Sequence, residues 1–262
     1  MTRSAVRRVA RLLALGWLYN LKMLARSAFD GILGILYPLF FATVAFLMFR
    51  VSGDATTLLY ASLGSAVMGV WSSTSTTAGT ALQRQRWQGT LELLVAAPVH
   101  FSLVMLPVTI AMTTIGLYSM VATIAWGRLL FGIGVHIEHP FAFALSTLGI
   151  VLAIGMTGFL FAVAFARFRQ AWALGNMLEY PVWLIGGFLV PLGLLPSFVR
   201  PISWVLAPTW GMNAIREAAL GGTPWADLVI CLAIGSGYVL VGVVVLDGVL
   251  RAARVRATLA LT

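Results

Sequence analysis

The sequence predicts an all-α integral membrane protein with six transmembrane helices. Of its 262 residues, 60% are hydrophobic and only 10% are charged, whereas about a quarter of the residues in a soluble domain are charged. The net charge of +9 does not indicate nucleic-acid binding, because the cations lie between runs too apolar for the basic face of a soluble fold. The single cysteine, Cys231, excludes a disulfide framework and a thiolate metal site.

Residues 1–30 are predicted to form an amphipathic helix that lies in the membrane interface. At about 100° per residue, its cations fall within an arc of roughly 140°, while apolar residues such as Leu13 and Trp17 lie largely on other sides. This pattern directs cations toward anionic headgroups and Leu or Trp toward the acyl boundary. The alternative is a solvated basic tail, although such tails seldom carry this much Leu and Trp.

The six spans are predicted from windows with at most one charge, since a crossing helix needs about 20 mainly apolar residues. The windows are 31–49, 55–83, 101–127, 140–166, 170–199 and 228–246. They define one transmembrane domain at 31–250, followed by a basic cytoplasmic tail at 251–262. Between spans five and six, residues 191–225 predict short re-entrant or interfacial helices, because the uncharged piece 201–215 is too short to cross and is interrupted by Pro208.

The positions of lysine and arginine predict the orientation of the chain. With both termini in the cytoplasm, thirteen of the 17 Lys and Arg residues lie inside, and only Arg50, Arg128, Arg200 and Arg216 lie outside. We therefore expect a multi-pass protein of the cell membrane, such as the inner membrane of a bacterium. Segment 84–100 is then a cytoplasmic loop, and segment 191–225 lies outside.

The sequence carries no motif of a membrane enzyme. It has neither HExxH nor GxSxG, and its only lysine, Lys22, follows a leucine, so the Gly-Lys pair of a phosphate-binding loop is missing. We expect a chain that is not an enzyme and draws its energy from a partner or a gradient. His136, Glu138 and His139 either bind a metal or form a solvated polar turn, and they lack a nearby fourth ligand.

The segment RWQGTLELLVAAPVH, residues 86–100, interrupts two apolar runs. As a helix it is amphipathic, with apolar side chains on one side and polar ones on the other. Gly89 permits a bend, Thr90 can cap the helix, and Pro98 ends it. A surface helix tied at both ends to spans either transmits a push to them or only seals the bundle.

Two stretches of the chain resemble one known family. Arg86 with GTLELLVAAPV is similar to the first intracellular loop of ABC-2 type transporter permeases, and residues 176–222 are similar to the fifth span and the outer helices of that family. The resemblance implies a dimeric membrane channel, built with a second permease copy or a sister permease. It also implies docking of two ABC nucleotide-binding subunits, with ATP and magnesium bound there and no cofactor in this chain. The docking residues that it implies are Arg86, Gly89, Thr90, Leu91, Glu92, Leu93 and Pro98.

Glu179 is the one acidic residue inside a predicted span. A carboxylate there costs about 2.5–3.5 kcal/mol and usually faces a cavity or a partner. Glu179 and Asn176 either lie on a transport path for a cationic or hydroxyl-bearing substrate, or Glu179 is protonated and bonds another helix. Trp183 and Phe188 either stack on the substrate or pack against lipid or the core. The hydroxyl row at 72–80 either lines a wet vestibule or bonds back to its own helix.

The resemblance and the predicted spans together indicate a permease subunit of an ATP-driven exporter. The expected substrate is lipophilic or amphiphilic, such as a drug or a lipid-like molecule, and it leaves the cytoplasm or the inner leaflet. Besides its protein partners, such a chain contacts membrane lipids and no nucleic acid. The alternatives are a permease for a lipid-linked glycan or polysaccharide, which the family also contains, and a membrane scaffold without transport.

Overall fold

The computed structural model describes residues 3–24, 28–50, 55–87, 89, 100–134, 136–164 and 171–256 of the chain. Over these residues the chain is helical, with no strand, so the predicted all-α class is confirmed. The helices are α1 (Arg3–Leu24), α2 (Ala28–Arg50), α3 (Ala55–Trp87), α4 (Ser102–Phe131), α5 (Pro140–Ala164), α6 (Ala171–Ile185), α7 (Arg200–Val205), α8 (Ala207–Leu220) and α9 (Trp225–Arg256).

Three helices in the described ranges are long and apolar enough to cross a membrane. They are α4, α5 and the part of α9 from Trp225 to Gly248. Each of the other three predicted spans also contains one helix, namely α2, α3 and α6. Crossing by those three helices stays a prediction from the sequence. The predicted tail begins inside α9, because that helix continues to Arg256.

The helix of the fifth predicted span is shorter than its apolar window. Within 170–199, α6 ends at Ile185, so residues 186–199 of the window do not belong to it. The turn that follows contains Gly187 with a φ of 75°. Glycine adopts this left-handed conformation without the steric cost that a side chain would add, and it commonly ends helices. A hydropathy window does not register this turn, because its residues are apolar.

The core lies where α3, α5, α6 and α8 meet. Its largest fully buried side chains include Trp71, Ile150, Phe188 and Met212. Beside this core, α3 packs along α4. A methyl group at Gly116 of α4 would lie only 2.9 Å from the Cα of Val70 in α3. Small residues of this kind let membrane helices approach closely.

Helix α1 packs along the first half of α4. The indole Nε1 of Trp17 donates a hydrogen bond to Thr114 Oγ1 at 3.0 Å, and a Cβ added at Gly16 would lie 3.1 Å from Pro107. The opposite side of α1 is exposed, which agrees with the predicted amphipathic helix. Its exposed side chains include Arg7, Arg8, Arg11, Leu15, Leu18, Tyr19 and Lys22.

Residues 186–220 connect α6 to α9 and are called the outer segment below, because the orientation predicted from the sequence places most of them outside. They contain a short 3-10 helix at Leu192–Leu194, followed by α7 and α8, as the prediction of short helices in this region requires. The backbone is extended at Leu206, between α7 and α8, and Pro208 occupies the first turn of α8. Proline is tolerated there because the first N–H groups of a helix have no intrahelical partner.

Candidate functional site

Glu179 lies on α6 and is buried against α3. Only 3% of its surface is exposed, and its carboxyl group is hydrogen-bonded to the hydroxyl of Ser72 on α3. The other side of the carboxyl is different, because Oε1 is buried and accepts no hydrogen bond from the described residues. A buried acceptor without a donor costs about 1–3 kcal/mol. Oε1 is therefore a buried acceptor for which the described residues supply no donor.

Asn176 lies one helical turn before Glu179 on the same helix. It is partly buried, and its Oδ1 also accepts no hydrogen bond from the described part of the chain. Residues three apart in a helix are neighbours on its surface. The two positions that the sequence singled out as polar thus share one side of α6, and each has an acceptor oxygen that is not satisfied.

Trp183 and Phe188 lie in the core of this subunit. Their exposed fractions are 4% and 0%, and the Trp183 ring makes edge-on contacts with Phe41 and Tyr180 at centroid distances of 5.1 Å. In this conformation both aromatic residues pack in the core and do not form an open surface on which a substrate could stack. Contact between either ring and a substrate stays a prediction, and it requires the bundle to open.

In the hydroxyl row of α3, Ser73, Thr74 and Ser75 bond back to their own helix, whereas Ser72 bonds Glu179. Thr74 Oγ1 donates to the Val70 carbonyl at 2.9 Å and also lies 3.0 Å from Thr113 Oγ1 of α4. Ser75 Oγ bonds the Ser72 carbonyl. In this part of the row back-bonding is observed, and one hydroxyl pair joins α3 to α4. The side chains of residues 76–80 lie outside the described part.

The docking element that the resemblance implies begins at the end of α3. Arg86 lies in the last turn of this helix, and Gly89 has a φ of 66°, consistent with the bend expected there. A Cβ added at Gly89 would meet no atom within 4 Å. Thr90, Leu91, Glu92, Leu93 and Pro98 lie outside the described residues. The role of all seven residues in docking stays a prediction.

The histidine cluster between α4 and α5 has exposed side chains. His136 Nε2 lies 3.6 Å from Glu138 Oε1, and both side chains are more than half exposed. Over the ranges that the structure describes, no three His, Cys, Asp or Glu side chains are grouped to hold a metal ion. The arrangement here corresponds to the solvated polar turn.

Arg216 is a buried residue whose position sequence reasoning missed. It lies on α8 with 5% of its surface exposed. Nη1 donates hydrogen bonds to Tyr60 Oη at 2.5 Å and to the Gly187 carbonyl at 2.6 Å, and Nη2 donates to the Phe188 carbonyl at 2.7 Å. The guanidinium also lies 3.2 Å from the centroid of the Tyr60 ring, a favourable cation–π contact.

Burial lowers the pKa of Arg216 to about 9, and the nearby Tyr60 opposes this shift. The guanidinium is therefore still charged at neutral pH. In the orientation predicted from the sequence, Arg216 is only one of four cations placed outside the membrane. A signal for its burial was nonetheless present, because Arg216 follows Met212 by four residues and so lies on the apolar side of α8.

Comparison with known proteins assigns the chain to a family. The ABC-2 type transporter family matches residues 10–220, which include the helices that hold Glu179 and Arg216. No curated protein sequence matches the chain. The family match covers most of the chain and agrees with its helical, apolar architecture. The chain belongs to the ABC-2 type transporter family and is the membrane subunit of an ABC-type permease.

Proposed function

We propose that this permease subunit belongs to an ATP-driven exporter that moves a lipophilic or amphiphilic molecule out of the cytoplasm or the inner leaflet. The observation that carries the proposal is the carboxyl group of Glu179 on α6, which is buried against α3 and whose Oε1 has no donor in the described ranges. Such a group is costly in an apolar bundle and usually serves a pathway or a partner. A protein that acts only as a scaffold does not require it.

Energy enters from a separate nucleotide-binding subunit, which binds ATP and magnesium. Two copies of that subunit dock on two permease chains through the cytoplasmic loop at 84–100, and both termini of each permease lie in the cytoplasm. The family assignment supports this arrangement. The position of the loop in the sequence supports it as well, since the loop lies between α3 and α4 and these two helices pack along each other.

The substrate is recognised by a hydrogen-bond donor on its headgroup. Glu179 Oε1 and Asn176 Oδ1 are both acceptors, and neither has a partner among the described residues. An ammonium or a hydroxyl group satisfies such oxygens. The neighbouring aromatic side chains of Tyr180 and Trp183 suit a lipophilic body and also a cation. A lipophilic cation is therefore the best single probe of the pathway.

Transport follows from a change in the contact between α3 and α6. When ATP closes the nucleotide-binding subunits, the loop at 84–100 tilts and shifts α3. The hydrogen bond between Ser72 and Glu179 then breaks, and the carboxyl group becomes accessible to the substrate. Domain closure that displaces a packed helix by a small distance is a common switching movement.

Glu92→Lys tests the docking. The tagged chain is purified from native membranes with its associated proteins, and ATP turnover is measured in lipid vesicles. Reversal of the charge at Glu92 is expected to abolish substrate-stimulated turnover while the permease stays in the membrane, because Glu92 would face a basic surface of the partner. Glu138→Lys, in the exposed outer loop, is the matched control and is expected to behave like the parent.

Two results would count against this proposal. Normal turnover by Glu92→Lys would remove Glu92 from the coupling mechanism. Purification of the chain without any nucleotide-hydrolysing protein would contradict the ATP-driven exporter and favour a scaffold.

Glu179→Gln tests the pathway. Loss of a charge-assisted contact worth about 1.5 kcal/mol lowers the affinity for a cation roughly tenfold. We expect export of the cationic dye rhodamine 6G to fall by that order, while export of an uncharged dye of similar size and assembly of the complex change little. Unaltered export of rhodamine 6G would place Glu179 outside the path and favour a purely interhelical role.

A further inference from the structure

We infer that Arg216 is a positioning residue that fastens the outer segment to α3, so that displacement of α3 at the cytoplasmic loop also displaces the outer segment. The inference rests on the proposed function for the source of that displacement. It adds a role for the outer end of α3, where none of the predicted docking or pathway residues lies. Tyr60 of α3 is the second member of the junction.

The junction joins three parts of the chain at one guanidinium group. Arg216 belongs to α8, Tyr60 to the beginning of α3, and Gly187 and Phe188 to the turn after α6. The four contacts made by Arg216 are its three hydrogen bonds and its approach to the Tyr60 ring. The guanidinium group carries five donors in a rigid plane, so it can hold several acceptors in one fixed arrangement.

A close backbone approach lies beside the guanidinium contacts. Gly64, one turn after Tyr60 on α3, lies directly against the carbonyl of Phe188, and an added Cβ would lie 3.0 Å from Arg216 Nη2. No side chain separates the helix from the turn at this point. The outer segment is thus seated on the α3 backbone itself, and Arg216 bonds the same carbonyl that rests there.

Helix α3 is suited to carry a movement from one end to the other. It runs without interruption from Ala55 to Trp87 and contains no proline. Its 33 residues extend about 50 Å, and the helix is continuous through Gly64 and Ser65, a kind of pair at which other helices kink. Tyr60 lies near one end of this rod, and the cytoplasmic loop begins at the other. Displacement of the loop therefore reaches the Arg216 junction as a tilt of one rigid body.

The acceptors of Arg216 also suit a junction that must follow movement. Among the residues that the structure describes, no carboxylate lies within ion-pair distance of Arg216. Its partners are a phenol and two backbone carbonyls, which are neutral. Loss of a hydrogen bond from a charged donor costs more than loss of one between neutral groups, so the buried guanidinium keeps these acceptors when α3 moves. The junction is specific in geometry without a fixed counter-charge.

Arg200 provides a matched control within the outer segment. It is exposed, and it donates to the carbonyls of Gly193 at 2.8 Å and Leu195 at 3.2 Å, both of which belong to the same segment. Arg200→Gln therefore removes a cation and two backbone contacts without touching α3. Tyr118, an exposed residue of α4, is the corresponding control for the removal of a phenolic hydroxyl group.

Hydrogen exchange in the purified complex of permease and nucleotide-binding subunit tests the junction. Exchange is measured with and without Mg-ATP in peptides that cover the loop at 84–100 and the turn at 186–199. In the parent, and in the control variants Arg200→Gln and Tyr118→Phe, Mg-ATP is expected to change the hydrogen-exchange rate of both regions. In Arg216→Gln and Tyr60→Phe, the loop still responds, while the response of the turn falls roughly fivefold or more, as expected for about 1 kcal/mol of lost coupling.

Further variants separate positioning from simple loss of structure. Tyr60→Phe removes only one acceptor hydroxyl group, so it keeps the test available if Arg216→Gln does not fold. Arg216→Lys preserves the charge without the planar fork and is expected to give an intermediate response. The double variant Tyr60→Phe with Arg216→Gln is expected to lose no more than Arg216→Gln alone, because both residues act through one contact.

The outcomes distinguish this inference from the proposed function. If the loop at 84–100 does not respond to Mg-ATP in the parent, the proposed function fails. If the loop responds but the turn at 186–199 does not, the inference alone fails. The role of Arg216 is also overturned if Mg-ATP changes exchange in the turn as much in Arg216→Gln as in the parent. The same holds if Arg200→Gln reduces that change as much as Arg216→Gln does.

Discussion

Gly64→Ala tests the close approach between α3 and the outer segment. The added methyl group would lie 2.9 Å from the carbonyl carbon of Phe188 and 3.0 Å from Arg216 Nη2, and closer still to the carbonyl oxygen. Ordinary van der Waals contact begins at about 3.4 Å, and the added Cβ would lie 1.8 Å from the Phe188 carbonyl oxygen, so the turn must retreat from α3 by more than about 1 Å. Such a retreat strains the bond between Arg216 Nη2 and the Phe188 carbonyl, which is now 2.7 Å long.

The magnitude follows from three opposing contributions. Overpacking costs about 1–3 kcal/mol, and loss of a hydrogen bond to a charged donor costs about 1.5–3 kcal/mol. Replacing glycine by alanine within a helix stabilises the folded state by about 0.5–1 kcal/mol. The net loss in the free energy of unfolding is thus roughly 1.5–5.5 kcal/mol, which corresponds to a fall in Tm of at least about 3 °C for a chain of this length.

The assay is thermal unfolding of the detergent-solubilised permease, followed by tryptophan fluorescence. Gly237→Ala in α9 is the matched control, since a Cβ added there would meet no atom within 4 Å. Its Tm is expected to equal that of the parent or to exceed it slightly. If Gly64→Ala melts together with Gly237→Ala, α3 and the Phe188 turn do not lie in contact, and the argument from close approach is wrong.

Two further predictions concern α1 and α8. Trp17→Phe removes the hydrogen bond to Thr114, worth about 1 kcal/mol, so hydrogen exchange across residues 3–24 should rise, whereas replacement of the exposed Trp204 by Phe should not change it. Burial raises the pKa of Glu217 above its ordinary value of 4.5, and repulsion by the charge of Asp227 adds to this increase. The folded state therefore retains a proton that the unfolded state releases, and this contribution to stability is lost as the pH rises from about 4.5 through the raised pKa. Glu217→Gln should flatten the corresponding fall in Tm, and an unchanged pH profile would contradict the assignment.

The helices were predictable because hydropathy and charge decide them locally. A run such as 140–166 has few ways to avoid water other than a buried or membrane helix, and α5 occupies almost the same residues. Proline and glycine also determine the backbone locally. At Gly89, the predicted bend coincides with a left-handed backbone conformation. These features depend on a few neighbouring residues, which a single sequence contains.

Other features depend on contacts between distant residues and were not predictable in the same way. The end of α6 at Ile185 lies within an apolar window, where the hydropathy of the helix and of the following turn is similar. Counting of cations placed Arg216 outside, but its inward orientation depends on Tyr60, which is 156 residues away in sequence. Likewise, the importance of Glu179 was evident from its position, whereas its partner Ser72 required the packing of α6 on α3.

The two-sided character of α1 bears on the choice of lipid for reconstitution. One side is engaged with α4, while the other exposes arginines next to leucines and Tyr19. Attraction between basic residues and acidic phospholipids is worth roughly 1 kcal/mol per residue near the surface. At the interfacial position that the sequence predicts for this first helix, a purely zwitterionic bilayer supplies no such attraction and leaves only the contacts with α4. Vesicles containing phosphatidylglycerol or cardiolipin are therefore the better starting point for measuring turnover.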